Sequence, residues 1–128
     1  MNSNIEMENN LRTRSNTYAL VYALVLPKIQ DIANALGYAL CVHGSMQRDL
    51  DIVLVPWVYG AESPEKVVTA LQRSLRGLKR NHFLGQPEVK PHGRLSWSFY
   101  LSELGASKAK GPYIDISVMP LLNKEGEI

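Results

Sequence analysis

Asp49 and Asp51 stand one residue apart in Arg48-Asp49-Leu50-Asp51-Ile52-Val53-Leu54-Val55, at the head of an Ile- and Val-rich run. Such a run predicts a strand, and side chains along a strand alternate, so both carboxylates point to one face. Like charges that close repel unless a proton or cation lies between them. A third acid, Asp115, lies in Tyr113-Ile114-Asp115-Ile116-Ser117-Val118. Ile114, Ile116 and Val118 claim the buried face of that strand, and Asp115 takes the other. An acid in an apolar strand is costly unless paired or metal-bound. Asp49, Asp51 and Asp115 are therefore the expected ligands of Mg²⁺ or Mn²⁺, which suit carboxylates plus substrate phosphates. Three converging acids would hold two metals and support in-line phosphoryl transfer.

The competing structural roles are plain. Asp49 would cap a turn or pair with Arg48, and Asp115 would pair with Arg94 or Lys90. Pro91-His92-Gly93-Arg94 precedes a further strand. His92 and Arg94 are expected to contact phosphate beside the acids, with Arg48 adding charge, or else to sit on a surface turn. His43 would line the site. Trp57 and Trp97 would stack on a base or, as is commoner for tryptophan, fill the core. Cys41, His43, His82 and His92 lack zinc-ligand spacing.

The elements that must carry these residues follow from periodicity and punctuation. Tyr18 to Leu26 is apolar and Ala- and Leu-rich, which favours helix, either as an earlier kinked part of the helix that follows or as a separate element. Pro27 suits the first turn of a helix over Ile29, Ile32, Ala33 and Leu36, with Gly37 as C-terminal cap. Tyr38 to His43 and Leu50 to Val55 read as short buried strands. Ser63-Pro64 predicts a helix start, and Val67, Leu71, Leu75 and Leu78 form its apolar stripe. His82 to Gly93 reads as a long loop. Leu95, Trp97, Phe99 and Leu101 alternate with Ser96, Ser98 and Tyr100, the pattern of a half-buried strand. Glu103 to Gly111 reads as a turn, and Tyr113 to Met119 as the last strand. The fold class expected is α/β (α+β), a mixed sheet of about four strands with helices packed on it.

The chain has 128 residues, of which 45% are hydrophobic, enough for one domain with a core. Residues 17–121 are expected to form it, after a flexible segment 1–16 and before a loose tail 122–128. The formal charge is only +2. Arg73, Arg76, Lys79, Arg80, Lys90 and Arg94 nevertheless share a stretch whose one acid is Glu88. That stretch would attract a triphosphate or a nucleic-acid backbone, or form a solvated helix face and a basic loop. The lone Cys41 excludes a disulfide framework, points to a reducing compartment and is expected to pack as a small hydrophobe. The polar start lacks a signal peptide's apolar core. Tyr18 to Leu26 is far short of the ~20 apolar residues of a membrane span. A cytoplasmic location and no membrane partner are expected.

Gly44-Ser45, then Asp49-x-Asp51 on a strand, then Asp115 on a later strand, resembles the nucleotidyltransferase superfamily with its DNA polymerase beta-like fold. The resemblance spans Tyr38 to Met119. His43-Gly44-Ser45, Val55-Pro56-Trp57 and Pro91-His92-Gly93-Arg94 are similar to small phage-encoded proteins of this type. It implies phosphate contacts at Gly44 and Ser45, metal ligands at Asp49, Asp51 and Asp115, and transfer of a nucleotidyl group from a nucleoside triphosphate to an acceptor hydroxyl. Only Met46, Gln47 and Arg48 separate Gly44-Ser45 from Asp49, where the family places a short helix. A tight antiparallel connection is expected instead. The alternatives are a non-catalytic binding protein on the same fold, acting on a host protein or nucleic acid, and a nucleic-acid binder that uses the basic stretch without metal.

Overall fold

The structure is a computed structural model that describes residues 18–75, 78–80, 86–101 and 112–123. The expectations for residues 1–16, Arg76, the side chains of Lys79 and Arg80, His82, the turn Glu103 to Gly111 and residues 124–128 lie outside the described residues.

Helix α1 spans Ala19–Ala35 and runs through Pro27. The run before Pro27 is therefore the earlier part of the same helix, and Pro27 lies inside it rather than at its first turn. Proline lacks the N–H of one helical bond, yet Pro27 is exposed, so its ring faces solvent while the helix continues. Tyr22, Ile29 and Ala33 recur on one face and are fully buried. Leu36 then closes the helix, and Gly37 follows at φ +96°, a conformation that favours glycine.

Strands β1 (Tyr38–His43) and β2 (Asp49–Pro56) pair antiparallel through the tight connection 44–48. Helix α2 (Pro64–Ser74) starts at Ser63, whose hydroxyl accepts the Lys66 N–H at 3.3 Å. Strands β3 (Leu78–Arg80), β4 (Glu88–Val89), β5 (Leu95–Leu101) and β6 (Tyr113–Val118) complete the sheet. Its path is β1-β2-β6-β5-β3, with β4 also paired to β5. The central pair, β2 and β6, is parallel, and every other pairing is antiparallel. The α+β class with a mixed sheet is thus observed, with a path of five strands rather than about four. Leu78 belongs to β3 and not to the apolar stripe of α2, which ends at Ser74.

One face of the sheet is the core. Leu50, Ile52 and Leu54 of β2, Ile114, Ile116 and Val118 of β6, and Trp97 and Phe99 of β5 pack there with α1 and α2. Burying each large aliphatic side chain stabilises the fold by roughly 1.5–3 kcal/mol, before the cost of ordering it. The opposite face carries Asp51, Asp115, Ser96, Ser98 and Ser117, all half-buried. Two expectations change here. Strand β1 is an edge and most of it is exposed, because it has a neighbour on only one side. Cys41 lies on that edge and is exposed rather than packed. Among the described residues, no helix is long and apolar enough to cross a membrane.

Candidate functional site

Strand register brings the site together. His43 of β1 stands opposite Asp51 of β2, Asp51 beside Asp115 of β6, and Asp115 opposite Ser98 of β5. These four residues form one rung across four neighbouring strands, on the face away from the helices. Neighbouring strands lie only ~4.8 Å apart, so in-register side chains on one face must meet. The register sets the Asp51 and Asp115 carboxyl groups side by side, close enough for the charge of one to act on the other. The Ser98 hydroxyl donates to Asp115 Oδ1 at 2.7 Å.

Electrostatics at this rung are unfavourable to charge. Burial pushes the Asp51 carboxyl above its ordinary value of 3.8, and the nearby Asp115 and Asp49 carboxylates push it further. The His43 ring acts weakly in the other direction. Among the described residues the ion pairs are Lys66–Glu62 at 3.3 Å and Lys90–Glu88 at 3.1 Å. The alternative pairings of Asp49 with Arg48, and of Asp115 with Arg94 or Lys90, are therefore not formed. A shared proton or a bound cation is what relieves such a pair.

The rung opens into a cleft of about 400 Å³. His43, Asp51 and Asp115 line one part of it. Ser96 and Ser117, which face each other across β5 and β6, form floor beside Ser98. Lys90 and Arg94 supply positive charge in the same cleft. They are held together by the Lys90 N–H, which donates to the Arg94 carbonyl at 2.8 Å and closes the turn between β4 and β5. His92 and Gly93 in that turn both have positive φ, 66° and 75°. Arg94 Nε is buried with no hydrogen-bond partner. A buried donor left unsatisfied is costly.

The remaining expected site residues lie at or beyond the rim. Asp49 shares the face of Asp51, one alternation away, but is exposed and does not line the cleft. Gly44 has φ +75°, and a Cβ there would stand 3.5 Å from Asp51 Oδ2. The turn thus runs close to the acid pair. Ser45 is exposed, and its hydroxyl accepts the Gln47 N–H at 3.4 Å. Arg48 and His92 are exposed and outside the cleft lining. Trp97 is core, only 2% exposed, and Trp57 is 64% exposed at the end of β2 remote from Asp49 and Asp51. Neither tryptophan is placed to stack on a ligand in the cleft.

Among the described residues, no three or more His, Cys, Asp and Glu side chains form a group able to hold a metal ion. The acids that the register places side by side are Asp51 and Asp115. The donor set is nonetheless one that hard cations favour, since it is all oxygen, and ligand phosphates and water routinely complete such sites. Sequence reasoning did not single out Ser98 or Tyr22. Alternation with Trp97 and Phe99 already placed Ser98 on the acid side of its strand, but the register that sets it against Asp115 is not written locally. No protein-family model matches the chain, and a search of curated proteins finds no match.

Proposed function

We propose that the cleft binds a divalent cation together with the phosphates of a nucleoside triphosphate, and that the protein transfers a nucleotidyl group to an acceptor hydroxyl. The observation that carries this is the in-register pair Asp51 and Asp115, unpaired with any described base, in one cleft with Arg94 and Lys90. An acid pair that forms no ion pair with Arg94 of the same cleft suits a ligand that presents cation and anion together. When bound, Mg²⁺ or Mn²⁺ would neutralise phosphate charge and polarise the phosphorus–oxygen bonds.

The chain's own residues have separate tasks. Asp51 and Asp115 would hold the cation, and Asp49 adds only its negative charge from outside the cleft. Arg94 binds a phosphate oxygen through its free Nε, with Lys90 beside it. The acceptor oxygen forms a bond to phosphorus as the bond to the pyrophosphate leaving group breaks. Asp115, fixed by Ser98, takes the acceptor proton. Isothermal titration with Mn²⁺ and each nucleoside triphosphate tests this. Wild type should bind the triphosphate in a metal-dependent way, and Asp51→Asn should lose that dependence. Triphosphate binding that ignores the cation would reject the proposal.

A second reading is a non-catalytic binding protein on the same fold, directed at a host protein or nucleic acid. It is favoured by Ser45, whose hydroxyl is committed to the local turn, and by Asp49, which lies outside the cleft. Metal-dependent release of pyrophosphate separates the two, since only the first reading requires it.

A further inference from the structure

Tyr22 lies on α1, on the layer opposite the cleft, and is completely buried. Its hydroxyl donates to the carbonyl of Arg48, the residue before Asp49. The same hydroxyl accepts the N–H of Tyr113 at 2.9 Å, at the first residue of β6. These partners mark the starts of the two parallel strands that carry Asp51 and Asp115: Arg48 immediately precedes β2, and Tyr113 opens β6. Asp49 and Tyr113 form the first rung of that pairing. The tyrosine hydroxyl stands between the Arg48 carbonyl and the Tyr113 N–H and links strand start to strand start. A neighbouring bond reinforces it, the Tyr18 N–H donating to the Gln47 carbonyl at 3.0 Å. Two successive carbonyls of the connection ahead of Asp49 are thus tied to the start of α1.

We infer that Tyr22 is a positioning residue for the acid pair: its hydroxyl locks the starts of β2 and β6 in register, so that Asp51 and Asp115 stand side by side. The inference rests on the proposed cation reading for its functional consequence, though not for its geometry. Burial raises the Tyr22 hydroxyl to about 12, with the Asp49 charge acting in the same direction. It stays protonated at neutral pH and remains a donor to Arg48.

A matched control exists in the same molecule. Tyr38 is also fully buried, and its hydroxyl donates to the Glu62 carbonyl at 2.6 Å. It pairs with Pro56, at the opposite end of β2 from Asp49. Tyr38→Phe and Tyr22→Phe each remove one buried hydroxyl that holds a backbone carbonyl. A purely structural role for both would lower the melting temperature of both and treat Mn²⁺ alike.

The experiment measures Mn²⁺ affinity, melting temperature and backbone amide hydrogen exchange for wild type and the two variants. Tyr22→Phe is expected to weaken Mn²⁺ binding by about tenfold or more, whereas Tyr38→Phe, which also loses melting temperature, changes it less than about twofold. In the metal-free protein, Tyr22→Phe should speed exchange at Leu50 and Asp115 relative to Tyr38→Phe. Equal effects of the two variants on affinity and exchange would overturn the inference. If wild type binds no Mn²⁺, the cation reading fails, and the exchange comparison alone then decides whether Tyr22 holds the register.

Discussion

Asp51 carries an energetic burden in the metal-free protein that its neighbours do not relieve. Its carboxyl is raised above the ordinary value by burial, by Asp115 and by Asp49. A group with a raised folded-state pKa favours the folded state while protonated, below its ordinary value. That contribution is lost as pH climbs from near 3.8 through the raised value. The difference between the melting curves of wild type and Asp51→Asn isolates this residue from the other carboxylates. Wild type should lose melting temperature relative to the variant as pH rises through that window, and at pH 7 Asp51→Asn should be neutral or stabilising. Millimolar Mn²⁺ should raise the wild-type melting temperature by binding only the folded form, and the variant should not respond. A strongly destabilised Asp51→Asn without metal would instead mark Asp51 as a hydrogen-bonded structural residue and favour the non-catalytic reading. At this scale the chemistry was legible, because alternation alone aims Asp49, Asp51 and Asp115 away from Leu50, Ile52, Ile114 and Ile116. Distance was not, since adjacency of Asp51 and Asp115 depends on two strands far apart in the chain pairing in register.

The elements place these residues through their ends. The connection 44–48 turns β1 back onto β2 with Gly44 at φ +75° and Met46 at φ 64°. A side chain at a left-handed position is strained, so Gly44→Ala is expected to destabilise by about 1 kcal/mol, read as a lower urea midpoint at unchanged slope. Ser63→Ala removes the cap of α2 and should cost about 1 kcal/mol as well. The two differ in reach. Gly44 lies beside Asp51 Oδ2, while Ser63 lies at the start of a helix that packs on the opposite face of the sheet. Only Gly44→Ala should therefore weaken Mn²⁺ binding, and an equal effect of Ser63→Ala would show that affinity follows global stability. Caps and turns of this kind were readable from Ser63-Pro64 and Gly37, because they act within a few residues. The helix through Pro27, the strand at Leu78 and the exposed edge at β1 were not. Each is decided by tertiary contacts, and an apolar run does not say how many neighbours its strand will have.

Among the described residues, helices cover one face of the sheet and none packs on the acid-bearing face. That division splits the basic stretch which the linear sequence presents as continuous. Arg73 lies exposed on α2, beside Glu62 and Lys66, on the helical side. Lys90 and Arg94 line the cleft on the other side. A nucleic-acid backbone held by the stretch as a unit would need both groups on one surface, and the sheet stands between them. A triphosphate in the cleft needs only Lys90 and Arg94. Lys90 already pairs with Glu88, so the greater share of phosphate binding falls on Arg94, whose Nε is unsatisfied. Arg94→Gln keeps much of the side chain's volume and removes its charge. It should weaken triphosphate binding by about tenfold, the order of one charge-assisted contact, while circular dichroism shows the fold intact. Arg73→Gln should leave triphosphate binding unchanged. The opposite ranking, with Arg73 dominant and binding falling steeply with salt, would move the interaction to the helical face and favour a nucleic-acid backbone as ligand. Equal, small effects from both would return Pro91 to Arg94 to the status of a surface turn and leave the acid pair without an anion partner.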